Sequence, residues 1–128
     1  MGRAVSLAME MIERRKQTFK ANGHAYYRPW MFLITDGGPN DAGWQDAAKH
    51  SFAADQAKAF ALFAVGVEEA DFNVLKLFTP REPLRLQGLR FRDLFLWLSS
   101  SLKSVSRSSP GEDVPLTNPT APGGWASV

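Results

Sequence analysis

Five large apolar residues stand in a row at Trp30-Met31-Phe32-Leu33-Ile34 and run into Thr35-Asp36-Gly37-Gly38-Pro39-Asn40-Asp41. Few folds can use such a segment. A continuous apolar run closed by turn residues reads as a strand buried on both faces, and such strands belong to parallel sheets covered by helices. Phe60-Ala61-Leu62-Phe63-Ala64-Val65-Gly66-Val67 repeats the pattern. Its small residues Ala61, Ala64 and Gly66 predict helices packed closely over it.

Helical spacing fills the gaps between these runs. Met1, Ala4, Val5, Ala8, Met11, Ile12 and Phe19 draw one apolar stripe over residues 1–21. Glu10, Glu13, Arg14, Lys16 and Gln17 fall mainly outside it, and Asn22-Gly23 supplies the stop. Residues 26–29 read as a linker and 36–43 as a glycine-rich loop. Residues 44–58 read as a helix, and 71–78 as a short one with Asp71 at its N-cap and Pro80 beyond its end. A brief strand is expected at 84–87. Phe91, Leu94, Phe95, Leu98, Leu102 and Val105 mark an amphipathic helix over about 90–107.

The alternation of helix and strand predicts an α/β fold, a three-layer parallel sheet flanked by helices. At 128 residues there is room for one domain. It is expected over 1–107. Residues 108–128 hold four prolines and three glycines and read as an extended or disordered tail, with Trp125 expected to dock on the body. Two or three strands make a small sheet for segments this apolar, and an unpaired edge of that kind invites association.

Composition narrows the chemistry. The absence of cysteine excludes disulfides and thiolate metal sites. No apolar run approaches the ~18 residues of a membrane span, and residues 1–20 lack a signal-peptide pattern, so a cytoplasmic location is expected. The net charge of +2 is spread along the chain, with basic clusters at Arg14-Arg15-Lys16 and through Arg81, Arg85, Arg90 and Arg92. A nucleic-acid footprint needs a more one-sided face, so no nucleic-acid partner is expected. There is no phosphate loop, dinucleotide fingerprint or nucleophile elbow. His24 and His50 lack metal-ligand spacing, and Trp44 and Trp97 fit core-facing helix positions. Glu68, Glu69 and Asp71 form an acidic cluster better suited to capping and solvation than to a cation.

The constellation that rises above this background is Thr35-Asp36-Gly37 with Asp41. Ligands in parallel α/β folds sit at the carboxyl ends of strands, where Asp36 falls. Capping of the loop and of the next helix explains both aspartates. The alternative is a divalent-cation site, because Mg²⁺ takes carboxylate, hydroxyl and water oxygens. One aspartate and one threonine do not fill that shell. A phosphoryl-transfer enzyme using Asp36 is a second alternative. It needs a lysine on an adjacent loop, whereas Lys58 and Lys76 fall on helices.

Leu33-Ile34-Thr35-Asp36-Gly37-Gly38-Pro39-Asn40-Asp41 resembles the strand and ITDG loop of von Willebrand factor A domains, most of all the bacterial cytoplasmic group associated with tellurium resistance. Phe63-Ala64-Val65-Gly66-Val67 resembles that family's next core strand. Gly88-Leu89-Arg90-Phe91-Arg92-Asp93-Leu94-Phe95 and Gly124-Trp125-Ala126 are similar to its closing segments. The resemblance implies a Rossmann-like sheet and a metal site built from three loops, of which this chain matches one, at Asp36. The family's D-x-S-x-S loop has no counterpart, so the chain resembles the C-terminal part of such a domain. It further implies a non-enzymatic protein-binding role, with a stress-response setting by analogy. The partner would be taken through the strand-end face, or through a second copy of the chain. Asp36 would be the retained metal ligand, supported by Thr35, Gly37 and Asp41. Mg²⁺ would bind weakly, and only where the missing loops were supplied; otherwise no cofactor is implied.

Overall fold

The computed structural model describes residues 1–88, 90–121, 124, 126 and 127, the last by its backbone. Along the chain run α1 (Gly2–Ala21), β1 (Trp30–Thr35), α2 (Trp44–Gln56), β2 (Ala61–Gly66), α3 (Phe72–Leu75), β3 (Leu84–Leu86), α4 (Phe91–Ser106) and β4 (Ala126–Ser127). The sheet order is β1-β2-β3-β4. β1 pairs with β2 in parallel from Trp30 opposite Ala61 to Thr35 opposite Gly66, and β3 continues the parallel set.

Alternation along the strands sends side chains to two cores. On one face Met31 and Leu62 pack against Val5 of α1, Ala48 of α2, and Phe60 and Phe78. On the other, Val65 and Leu86 pack against Leu94 of α4. Helices thus cover both faces, as expected. Gly66 is required by close approach: a Cβ there would overlap the Phe72 ring. Gly2 lets α1 begin against Trp44, where a Cβ would lie 2.6 Å from that residue's Cα.

Helix ends follow from local chemistry. Gly23 takes φ 68°, its N–H donates to Lys20 O, and the His24 N–H reaches back to Phe19 O, closing α1 in a Schellman motif. The same pattern ends α2 two residues before the expected boundary. There Lys58 holds the left-handed position at φ 62°, and the Ala59 N–H returns to Ala54 O. The Asp71 side chain caps α3 by accepting from the N–H groups of Asn73 and Val74.

Four expectations need correction. β1 is not buried on both faces: Met31 is buried, but Ile34 is 39% exposed, because β1 is the edge strand among the described residues. β2, in the sheet interior, does match the reading, with Leu62 and Val65 fully buried. The sheet is not wholly parallel, since β4 runs antiparallel to β3. Residues 108–128 therefore contribute a strand, and Ala126 is buried. Lys16 is buried as well: its aliphatic stem lies on the core side of α1 and its Nζ donates to Ala59 O. Trp125 lies outside the described residues. Among the described residues no helix is long and apolar enough to cross a membrane.

Candidate functional site

At the carboxyl end of β1 the chain turns on Thr35. Its Oγ1 accepts the Gly37 N–H at 3.2 Å, which fixes the Gly37-Gly38 loop beside the loop that follows β2. A Cβ on Gly38 would stand 3.8 Å from that of Asp71. Asp36 projects into solvent and makes no hydrogen bond or ion pair among the described residues.

Asp41 does something else. Its Oδ1 accepts from the Met1 ammonium at 3.0 Å and the Gly2 N–H at 3.1 Å, and its Oδ2 from the Arg3 N–H at 2.7 Å. The first turn of α1, which has no side-chain cap of its own, is thereby satisfied by a residue from a distant loop. The Arg3 N–H first, then the Met1 ammonium, hold this carboxyl well below the usual carboxylate range. Asp41 was expected to cap the following helix, but it caps the preceding one. α2 starts instead from Gly43 in the left-handed conformation.

These residues do not fit a divalent-cation site. Both Asp41 oxygens are bound to backbone and ammonium donors, the Thr35 hydroxyl is held in its turn, and Asp36 is left as a solitary carboxylate. Among the described residues no three His, Asp or Glu side chains gather as metal ligands. Of the acidic cluster, Asp71 caps α3, and the Glu68 carbonyl accepts from Arg85, whose guanidinium lies 4.0 Å from the centre of the Phe72 ring. Among the described residues no lysine pairs with Asp36. Lys58 precedes β2 and so sits at the opposite end of the parallel strands, and Lys76 pairs with Glu82 at 2.9 Å. His24 and His50 are exposed. Trp44 stacks on Phe78, and Trp97 packs on Phe63 while donating to Thr117 O at 2.7 Å.

The most heavily bonded carboxylate belongs to Asp55, at the other end of the strands. Its side chain is 1% exposed. Oδ1 accepts from Arg28 Nη2 at 2.8 Å and from Arg81 Nη1; Oδ2 accepts from the Leu62 N–H at 2.9 Å and the Thr79 hydroxyl at 3.0 Å. Arg28 also donates to the Phe60 and Asp55 carbonyls, so the cluster ties the starts of β1 and β2 to the end of α2. Burial first, then the neighbouring Arg81 charge, lowers the Arg28 pKa. A signal for this cluster was present in the sequence. Ala48, Ser51 and Asp55 follow helical spacing on the core side of α2, which places a hydroxyl and a carboxylate where apolar groups are expected.

Comparison of the chain with protein-family models, with curated proteins and with solved structures finds no match.

Proposed function

We propose that this chain is a non-catalytic protein-interaction module that binds through the outer edge of β1. One observation carries the reading. The Pro29 and Thr35 carbonyls accept from Ala61 and Val67, so in a regular strand the backbone groups of Trp30, Phe32 and Ile34 point the other way, where no strand is paired among the described residues. The edge carries none of the usual protection: Trp30–Thr35 contains no charge, proline or bulge. Beside it, Trp30 and Phe32 line a groove of about 410 Å³ with Leu98 and Leu102 of α4.

The occupant that fits is an extended segment added as a strand, with alternate side chains in that groove. A second copy of the chain is the simplest source, pairing β1 with β1 about a twofold axis. The likeness of residues 33–41 to the von Willebrand A loop accords with a protein-binding role. The solitary Asp36 favours binding that does not run through a metal.

Light scattering coupled to size exclusion tests this. Dimer is expected to form across the micromolar range. Ile34→Lys, at an exposed edge position, should return it to monomer without changing the circular dichroism. A wild-type chain that stays monomeric throughout would overturn edge pairing as its mode of association.

A further inference from the structure

The Asp55 cluster leaves charge over. Two guanidinium groups share one carboxylate, and each arginine side chain is about one-third exposed, at 31% for Arg28 and 35% for Arg81. Arg28 spends Nε and Nη2 on Asp55 and Phe60, and Arg81 spends Nη1 on Asp55. Arg28 Nη1 and Arg81 Nε and Nη2 make no hydrogen bond among the described residues. Both arginines line a cleft of about 490 Å³, to which Lys58 adds a third cation.

Lys58 is there at a conformational cost. Its φ of 62° is the left-handed region, where glycine sits with less strain and where the matching position of α1 has Gly23. Part of the remaining wall is aromatic. Tyr27, Trp30 and Phe63 line the cleft, and the Arg81 guanidinium stands 5.5 Å from the Phe63 ring centre. Unspent guanidinium donors, two arginines sharing one buried carboxylate and flat apolar walls together suit a ligand with one oxyanion on an aromatic body.

A strap from the C-terminal segment forms part of the lining. Gly111 to Val114 and Leu116 belong to it, and the Tyr27 hydroxyl donates to Ser108 O at 2.6 Å just before them. Glu112 accepts from Ser109 N–H within the strap's own turn, while Asp113 forms no ion pair with the arginines or with Lys58 among the described residues. With Asp55, Glu112 and Asp113 balance the three cations in formal charge, yet neither strap carboxylate pairs with them among the described residues.

We propose that the cleft at the amino-terminal end of the strands binds a small aromatic oxyanion, with Arg28, Arg81 and Lys58 holding the phosphate or carboxylate group. Tyr27 and Trp30 flank the ring, and Asp113 competes with the ligand from the strap. The site shares Trp30 with the groove beside β1, but Arg81 and Lys58 line this cleft and not that groove.

Calorimetry and NMR on the full chain test it, with phenyl phosphate, benzoate and neutral phenol as probes. Saturable binding of phenyl phosphate or benzoate is expected, shifting the Trp30 indole and the Arg28 and Arg81 Nε resonances. The tighter of the two identifies the oxyanion. Lys58→Gly, which suits the backbone at that position, should weaken binding about tenfold, the loss of one charged hydrogen bond. Asp113→Asn should tighten it severalfold. Failure of both anions to bind, equal binding by phenol, or an unchanged affinity in Lys58→Gly would overturn the proposal.

Discussion

The two ends of the parallel strands hold aspartates of opposite character. Asp36, after β1, lies in the most conspicuous motif of the chain and stands alone in solvent. Asp55, before β2, lies in an unremarkable helix and is buried among Arg28, Arg81, Thr79 and the Leu62 N–H. A motif marks residues adjacent in sequence, whereas a buried charge needs partners from wherever the fold can bring them. The partners of Asp55 lie 24 to 27 positions away in sequence, apart from Leu62. Physical consequence follows the second kind of connection.

The largest test of this contrast is Asp55→Asn. It leaves two guanidinium groups without a counter-charge beside a buried amide. Removing one partner of a buried pair costs about 3–5 kcal/mol, and the partial exposure of both arginines places the expected loss near the lower figure. Urea unfolding measures it, and a loss below about 1 kcal/mol would erase the contrast.

Asp41→Asn should have a smaller effect that depends on pH. The folded carboxyl is held below its ordinary range, so the unfolded chain binds the proton more readily. The stabilisation is therefore complete above the unfolded value of about 4 and is lost as pH falls below it. Melting temperature against pH should show a gap between wild type and Asp41→Asn near neutrality, narrowing in acid. A gap that stayed constant would mean that the Asp41 charge is not the cause.

Asp36→Ala should do least, within about 0.5 kcal/mol, as for an exposed side chain without partners. Calorimetric titration with Mg²⁺ should give no saturable heat for either form. Tight one-to-one binding lost in Asp36→Ala would restore the strand-end loop as a functional centre and reverse the comparison.

Much of the fold was legible. The apolar runs at 30–34 and 60–67 became β1 and β2, and Asn22-Gly23 ended α1 because Gly23 accepts a positive φ. The exposure of β1 was not legible. An apolar run reads alike whether the strand ends in the middle of a sheet or at its edge, and strand order decides which. β4 was hidden for a related reason: Ala126 and Ser127 carry no strand pattern, and their pairing depends on Arg85 and Leu86, some forty residues earlier. At the strand ends a local turn after β1 was readable, although Thr35 and not Asp36 holds it. The link from Asp41 to α1 was not, since capping is ordinarily read from the neighbouring helix.

By itself the sequence determined the element types and their order as far as α4, and the two-sided burial of β2, because hydrophobic spacing and turn chemistry act over a few residues. Tertiary structure alone decided which strand became the edge, which aspartate was buried, and which cations met at the amino-terminal end of the sheet. Those outcomes depend on the pairing of segments far apart in the chain, and no local pattern encodes the geometry of that pairing.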